Sequence, residues 1–233
     1  RDAQESRGLG DVYKRQLLWF SIRALCVTDR LGEPLRVIGV VTDIDSEKKL
    51  ELQLSERASY DFLSQLYNRS TFERELKSEI ERSAHAKVAV LFIDVDDFKF
   101  INDRFGHSVG DEVIKYVAGC IKQRVKGSGF AGRFGGDEFV LCITDPKQIE
   151  EIESLSLDLI DELYEGYHSE LANVSINVKA SIGIAFYPEH GDDSNKVVAA
   201  ADEAMYFVKK NGKANYHIYQ PEDSEMEDLQ HTL

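Results

Sequence analysis

Cysteine is scarce in this chain, and long apolar runs are missing. The three cysteines, Cys26, Cys120 and Cys142, are odd in number, far apart and in no CxxC spacing. We therefore expect neither a disulfide framework nor a cysteine zinc site, and a reducing cytoplasm fits this usage best. The longest apolar runs, Val88–Ile93 and Val37–Val41, are strand-sized, well short of the roughly 18 residues that a membrane-spanning helix needs. We expect no membrane contact by this segment, although a longer protein could be anchored upstream.

Positive charge is also in short supply. The 28 Lys and Arg residues face 42 Asp and Glu residues, which gives a formal net charge of −14. Nucleic acid and anionic membranes are polyanions that a generally acidic protein does not attract, so we expect no nucleic-acid partner. A phosphate compound would have to bind locally, through a metal ion or a few placed lysines.

The 233 residues are enough for one core and an accessory piece. Within residues 1–16, the run DVYKRQ resembles the translated end of a transposon used in sequencing libraries, so we expect a disordered assembly artefact. Residues 17–45 alternate between apolar and polar side chains, are rich in residue types that favour strands and contain a Gly-Glu-Pro turn. This pattern predicts a β-hairpin. Residues 46–60 predict a linker helix. Residues 61–220 form the main domain, and the acidic tail 221–233 is expected to fray.

Helix and strand patterns alternate through the main domain. The predicted helices are Thr71–Ala84, Val109–Val125, Pro146–Tyr164 and Ser194–Asn211. The predicted strands are Lys87–Val95, Phe130–Phe134, Glu138–Ile143 and Asn215–Tyr219, with a strand-rich stretch over Val174–Phe186. Helices packed on a sheet with one tight hairpin predict an α/β (α+β) fold, a two-layer ferredoxin-like or palm-type sheet with flanking helices.

Three aspartates, Asp94, Asp96 and Asp97, follow the apolar strand VAVLFI. Strand periodicity puts Asp94 and Asp96 on one face, where an unpaired carboxylate would be costly to bury. A hard cation would remove that cost, and oxygen-only ligands suit Mg²⁺. Taken alone, a solvated acidic loop after a strand is the more frequent explanation of such a cluster.

A second acidic cluster lies in the segment RFGGDEF, Arg133–Phe139. Gly135 and Gly136 between β-type segments predict a tight hairpin turn that needs positive φ and lets a ligand approach the backbone. Asp137 and Glu138 follow at this turn. Together with Asp94 they would bring carboxylates from two chain segments to one metal site, as phosphoryl transfer requires.

These motifs, in this order, resemble the GGDEF domain of diguanylate cyclases over about two-thirds of the chain. The opening motif DFLSQLYNR is similar to the family's DxLTxLxNR, with Ser64 where Thr is usual. The matching segments are Asp61–Arg69, Asp94–Asp111, Arg133–Phe139 and Ala201–Lys213. Residues 17–45 resemble the last strands of a PAS sensor domain, which end in VTDID.

The resemblance implies a Mg²⁺-dependent (or Mn²⁺-dependent) enzyme that condenses two GTP molecules into cyclic di-GMP and two pyrophosphates. It implies a homodimer, because each subunit binds one GTP and two sites must face each other. The implied metal ligands are Asp94, the Val95 carbonyl, Asp137 and Glu138. The implied GTP-binding residues are Asn102, His107, Asp111, Gly135, Gly136, Lys209 and Lys213. The implied catalytic residues are Asp137, Glu138 and Lys99.

Two points about these roles are particular to this sequence. Asp137 is the candidate for accepting the proton of the 3′-hydroxyl group, and the division of this role with Glu138 is left open. The family's product-inhibition motif RxxD corresponds here to Lys126–Gly129, KGSG. We therefore do not expect feedback inhibition through that site.

Three other interpretations compete. Gly106–Gly110 fits the GxSxG nucleophile elbow of hydrolases, with Asp137 and His190 following in order, but that elbow needs a strand directly before the serine. The GxGxxG spacing that begins at Gly127 should follow a strand and open a helix, whereas the predicted order is helix then strand. A GGDEF domain that binds GTP without catalysis is the third alternative, and the intact signature favours activity over it.

Overall fold

The computed structural model describes residues 5–10, 17–28, 34–49, 59–82 and 87–221. The chain divides into two compact units, residues 1–58 and residues 59–233. Among the described residues, no helix combines the length and the apolar character needed to cross a bilayer.

The first unit is an antiparallel sheet with the strand order β1-β2-β3. Its strands are β1 (Glu5–Gly10), β2 (Leu17–Thr28) and β3 (Pro34–Asp43). Strands β2 and β3 form the β-hairpin predicted for residues 17–45. The expectation of disorder over residues 1–16 is wrong for the six residues of β1, which pair with the edge of β2, where backbone N–H and C=O groups need partners. The predicted linker helix begins at residue 45, and residues 50–58 lie outside the described ones.

The second unit is built on a six-stranded mixed sheet with the order β11-β10-β5-β7-β6-β4. These strands are β4 (Tyr67–Asn68), β5 (Val88–Val95), β6 (Gly129–Gly135), β7 (Glu138–Thr144), β10 (Ala180–Tyr187) and β11 (Tyr216–Ile218). The four inner strands are antiparallel, and the edge strands β4 and β11 pair in parallel with their neighbours. A separate small hairpin consists of β8 (Tyr167–Ser169) and β9 (Val174–Ile176).

Helices cover both faces of this sheet. They are α1 (Arg69–Glu81), α2 (Phe98–Phe105), α3 (His107–Arg124), α4 (Ile149–Glu165) and α5 (Ser194–Lys210). One core joins α3 and α4 to one face, and a second core joins α1 and α5 to the other. The mixed α/β fold with flanking helices is confirmed, but it has three layers where two were expected.

The sequence of β5 explains the third layer. All eight of its residues are buried, because the run VAVLFIDV places apolar side chains on both faces of the strand up to Asp94. Leu91 and Ile93 face the core of α3 and α4, whereas Val90 and Phe92 face the core of α1 and α5. A strand that is apolar on both sides is stable only when both sides are covered.

Helix α5 carries two of the candidate lysines, and its start is fixed by a cap. The Asp193 side chain accepts hydrogen bonds from the backbone N–H groups of Asn195 and Lys196, at 2.8 and 2.9 Å. Such a cap satisfies donors that the first turn of a helix leaves unpaired. From this start the helix crosses β10 and β5, so that its last turn lies over the carboxyl end of β5.

Candidate active site

Asp94 lies at the end of β5 and is 4% exposed. Its cross-strand neighbours are Glu138 on β7 and Ser181 on β10. Burial raises the pKa of Asp94 to about 6, and the nearby charge of Asp137 adds to this rise. The Lys209 ammonium group, 2.7 Å from the Asp94 carboxylate, acts in the opposite direction. The site thus holds a buried carboxylate whose charged form is stabilised by a cation.

The signature hairpin joins β6 to β7, and Gly136 at its tip has a φ of +47°. The Arg133 guanidinium donates to the Gly136 carbonyl from Nε at 3.0 Å and to Asp61 Oδ1 from Nη1 at 3.0 Å. Asp61 also accepts from the Ser64 N–H at 2.8 Å. Burial opposes ionisation of Asp61, yet the hydrogen bonds from Ser64 and Arg133 hold its pKa below the usual value. The glycine turn is therefore fixed to the opening loop of the domain.

The hairpin is also tied to β5. The Val95 N–H donates to the Asp137 carbonyl at 3.2 Å. The side chains of Asp137 and Glu138 are half-buried. The four candidate metal ligands Asp94, Val95, Asp137 and Glu138 thus come from two adjacent strand ends.

These groups offer a metal ion only oxygen atoms. Within the part of the chain that the structure describes, no three His, Cys, Asp or Glu side chains converge as a closed metal centre. Mg²⁺ suits such a place, because it is held by one or two carboxylates and takes its other ligands from substrate phosphates and water. The donor chemistry therefore fits a hard divalent cation that binds together with a phosphate substrate.

The candidate phosphate-binding lysines lie near the acidic run. Lys209, in the last turn of α5, contacts Asp94. Lys213, in the loop after α5, lies 2.8 Å from Asp97 Oδ1, and this hydrogen bond raises the pKa of Lys213. Lys99 is exposed in the first turn of α2. Two of the three lysines thus contact carboxylates of the acidic run.

The candidate guanine-binding residues meet where α2 joins α3. A Cβ atom on Gly110 would lie 2.0 Å from Asn102 Oδ1, so the Asn102 side chain lies directly against Gly110, one residue before Asp111. His107 is exposed as the first residue of α3, after Gly106 with a φ of +88°. Asn102 on α2 thus lies against α3 at the residue that precedes Asp111.

The competing motifs do not have the surroundings that they need. Ser108 lies in the first turn of α3, and helix α2 ends at Phe105, so a helix and not a strand precedes this serine. A nucleophile elbow is therefore absent at Gly106–Gly110. Gly129 and Gly132 lie within strand β6, and no helix begins there. The GxGxxG spacing is not a dinucleotide-binding turn.

Asp96 has partners that the sequence did not reveal. It is 4% exposed, and its two carboxylate oxygens accept from Ser181 Oγ at 2.8 Å and from the Ala214 N–H at 3.0 Å. Ser181 and Ala214 were not among the candidate residues, because a serine within an apolar strand and an alanine in a loop carry no chemical signal. The Asp61–Arg133 ion pair was also missed, although both residues lie in recognised motifs.

Carboxylates at strand ends, paired with lysines from a neighbouring helix and from the loop after it, offer the groups that metal-assisted phosphoryl transfer uses. The family model described as "Diguanylate cyclase, GGDEF domain" matches residues 58–215. The chain therefore belongs to the GGDEF domain family. Diguanylate cyclases of this family are metal-dependent nucleotidyltransferases.

The named relatives include a probable diguanylate cyclase and a cyclic di-GMP phosphodiesterase. The chain is 31% identical to the probable diguanylate cyclase DgcE of Escherichia coli (strain K12), over 88% of the chain and 18% of DgcE. It is 30% identical to the cyclic di-GMP phosphodiesterase PdeR of the same organism, over 78% of the chain and 27% of PdeR. The chain thus spans less than a third of the length of these relatives.

A solved structure has the same fold. The GGDEF domain of TpbB (YfiN) from Pseudomonas aeruginosa (PAO1) superposes with a TM-score of 0.69 at 30% sequence identity. The match covers 72% of this chain and 99% of that one. The mixed sheet with its flanking helices is therefore the GGDEF fold.

Proposed function

We propose that this chain is a diguanylate cyclase, which condenses two GTP molecules into cyclic di-GMP and two pyrophosphates. The observation that carries the proposal is the position of Asp94 and Glu138 as cross-strand neighbours at one end of the sheet, with Asp137 in the adjoining turn and Lys209 in contact with Asp94. This combination supplies oxygen ligands for a metal ion and a cation for phosphate oxygens. Family membership and the intact signature support it.

The metal ligands would be the Asp94, Asp137 and Glu138 carboxylates and the Val95 carbonyl, with Mg²⁺ or Mn²⁺ as the ion. Bound there, the ion would neutralise phosphate charge and align the reacting groups. Lys209 would leave Asp94 and bind the triphosphate together with Lys213. Lys99 would stabilise charge that develops at the α-phosphorus.

The base would be recognised between α2 and α3. The Asp111 carboxylate can accept from the ring N–H and the amino group of guanine, and the Asn102 amide can both donate and accept. His107 would line this pocket. The exposed glycine turn, Gly135 and Gly136, has no atom within 4 Å of a Cβ placed on either residue, which leaves room for the ribose and phosphates.

The reaction needs two domains face to face, since each would bind one GTP. The 3′-oxygen of one GTP forms a bond to the α-phosphorus of the other, and pyrophosphate leaves as that bond forms. Asp137 would accept the proton of the 3′-hydroxyl group. In a second step of the same kind, the 3′-oxygen of the other nucleotide bonds to the remaining α-phosphorus, the second pyrophosphate leaves and the ring closes. A homodimer is therefore part of the proposal.

We propose further that the domain is the output of a sensor protein. The β-hairpin of residues 17–45 would be the end of a PAS domain, and residues 46–60 would form the helix that links it to the catalytic domain. The three cysteines form no disulfide, as in a reducing compartment, and we propose a cytoplasmic location.

The test is to incubate the purified chain with GTP and Mg²⁺, with and without EDTA, and to separate the nucleotides by chromatography. We expect metal-dependent formation of cyclic di-GMP and pyrophosphate. Asp137→Ala should lower the rate at least about 100-fold, the usual loss when a general base is removed. Asp161→Ala, on the exposed side of α4, removes the same charge away from the site and should keep the wild-type rate.

Each other outcome has a definite meaning. GTP that binds but is not converted, even after two chains are joined by a fused coiled coil, would identify a binding module. Full activity in a folded Asp137→Ala variant would remove Asp137 from the mechanism and leave Glu138 as the proton acceptor. Absence of GTP binding would contradict the proposal as a whole.

A further inference from the structure

The loop that follows α5 has an unfavourable backbone. Gly212, Lys213 and Ala214 have φ angles of +116°, +63° and +49°. A left-handed conformation is unfavourable for residues other than glycine, and it persists only where surrounding contacts hold it. The contacts of this loop therefore decide where the Lys213 ammonium group lies.

Two neighbouring aspartates hold two neighbouring residues of this loop. The Ala214 N–H donates to Asp96 Oδ2 at 3.0 Å, and Lys213 Nζ lies 2.8 Å from Asp97 Oδ1. Asp96 is buried, and its second oxygen accepts from the buried Ser181 hydroxyl at 2.8 Å. The Asp97 side chain is 62% exposed. Asp96 is thus a buried anchor for the main chain, whereas the contact of Asp97 is an ion pair in solvent.

We propose that Asp96 is a positioning residue for Lys213. Its carboxylate, oriented by Ser181, fixes the loop so that Lys213 can bind the triphosphate of the substrate. Asp96 has the strand parity of Asp94, but both of its oxygens accept from protein donors, so it acts through the loop and not on the metal ion. This inference rests on the proposed function, because it assigns Lys213 to the phosphates of GTP.

Charge repulsion alone predicts the opposite effect. A triphosphate is a polyanion, so removal of any nearby carboxylate strengthens binding if only its charge matters. Asp97→Asn removes a charge one residue away, weakens the contact with Lys213 to a neutral hydrogen bond and suits the left-handed φ of +56° at this position. We expect this variant to bind nucleotide as tightly as the wild type or more tightly. Asp96→Ala should bind more weakly, because the Ala214 N–H loses its acceptor.

Binding is best measured by calorimetry on the full chain with 3′-deoxy-GTP and Mg²⁺, because the missing hydroxyl group prevents turnover. We expect Asp96→Ala to raise Kd about tenfold. Asp96→Asn keeps an acceptor for Ala214 and should recover most of the affinity. In turnover with GTP, Asp96→Ala should raise KM by a similar factor and change kcat less than about threefold.

A double-variant cycle tests whether Asp96 acts through Lys213. Residues that act through one contact are not additive, so Asp96→Ala combined with Lys213→Ala should match Lys213→Ala within about twofold. If Asp96→Ala does not fold, Ser181→Ala takes its place. We expect this variant to raise Kd about threefold in the wild-type background and to have no effect in Lys213→Ala.

Several results would overturn the inference. One is a Kd that is unchanged or lower in Asp96→Ala, and another is additive losses of affinity in the double variant. A third is a higher Mg²⁺ concentration for half-maximal activity of Asp96→Ala, which would make Asp96 a metal ligand. If the wild-type chain does not bind 3′-deoxy-GTP, the proposed function fails and this inference fails with it. If the wild-type chain binds 3′-deoxy-GTP and Asp96→Ala binds it with the same Kd, only this inference is wrong and the proposed function stands.

Discussion

At the scale of single residues, Asp94 and Asp96 are equally buried but have different partners. Asp96 accepts two hydrogen bonds from Ser181 and Ala214, whereas Asp94 has the Lys209 ammonium group. A carboxylate whose oxygens are satisfied by protein donors stabilises a structure, and one paired with a movable cation can exchange that cation for another. The same chemical group thus has two different roles two positions apart.

The sequence could predict the position of these carboxylates but not this difference. Strand parity and the apolar run before Asp94 placed it and Asp96 on one face at the end of a strand, as the structure has them. The donors to Asp96 come from residues 85 and 118 positions further along the chain. Strand order and loop conformation bring them close, and neither can be read from local spacing.

The Lys209–Asp94 ion pair gives the first prediction. In the absence of nucleotide, Lys209 occupies the carboxylate that we assign to the metal ion, so the two cations compete. Lys209→Gln should therefore strengthen metal binding without nucleotide about fivefold, which corresponds to about 1 kcal/mol for a partly exposed ion pair. Titration of Mn²⁺ followed by the electron paramagnetic resonance signal of the free ion measures this affinity.

Lys210→Gln is the matched control for this experiment. Lys210 is the next residue of α5, is exposed and lies over the Tyr206 ring at 4.9 Å, so its loss changes the net charge equally without touching Asp94. We expect its Mn²⁺ affinity to equal that of the wild type. Equal or weaker Mn²⁺ binding in Lys209→Gln would show that Lys209 and the metal ion do not compete.

At the scale of elements, the sequence predicted the long helices and the central strands well. Helices α1, α3, α4 and α5 each lie where amphipathic spacing put them, and β5, β6 and β7 follow the apolar runs. Helix α2 was not assigned as an element from the sequence. It has eight residues and begins after a left-handed Asp97 that makes no side-chain cap, so the usual start signal is missing.

The sequence pattern also did not predict β8 and β9 as separate strands. Its two strands have three residues each, and the prediction merged β9 with β10 into one strand-rich stretch. Strands of three residues are too short for alternation to be recognised. The third layer was missed for a related reason, since a continuous apolar run does not say which helices will cover its two faces.

The contact between α2 and α3 gives a prediction at this scale. Gly110→Ala would place a methyl group on Asn102 Oδ1, and the Asn102 side chain would have to turn away. Since we assign Asn102 to guanine, the KM for GTP should rise about tenfold, the effect of losing one or two hydrogen bonds to the base. Steady-state kinetics measures this change, and thermal unfolding shows whether the fold is kept.

Gly119→Ala is its control within the same helix. A Cβ at Gly119 meets no atom within 4 Å, so this variant should raise the unfolding temperature by about 2–4 °C, as replacement of a mid-helix glycine does, and leave KM unchanged. An unchanged KM in a folded Gly110→Ala variant would separate Asn102 from guanine recognition.

At the scale of the whole molecule, the candidate site lies entirely within the second unit. Its residues run from Asp94 to Lys213, inside residues 59–233. Under the proposed function, one copy of this unit would supply one set of metal ligands, lysines and guanine-binding residues, which is half of what the joining of two GTP molecules requires. Turnover should therefore depend on the meeting of two chains.

This dependence is measurable. We expect the specific activity of the purified chain to fall on dilution, because the rate follows the concentration of pairs. Fusion of a parallel coiled coil to the chain should remove the dependence by raising the effective concentration of the second site. Binding of 3′-deoxy-GTP, measured in parallel, should not change on dilution. Constant specific activity over a 100-fold dilution of a chain that gel filtration shows to be monomeric would contradict the dimeric mechanism.

The shortness of the sheet's edge strands bears on how such pairs form and separate. Strand β4 has two residues and β11 has three, so each edge offers few free backbone groups to a strand from another chain. Edge-to-edge pairing of two copies of this six-stranded sheet would form few backbone hydrogen bonds, so the proposed dimer of the second unit would rely mainly on side-chain contacts. If the proposed function holds, a dimer joined only by side chains could dissociate, and dissociation alone would stop synthesis of the product.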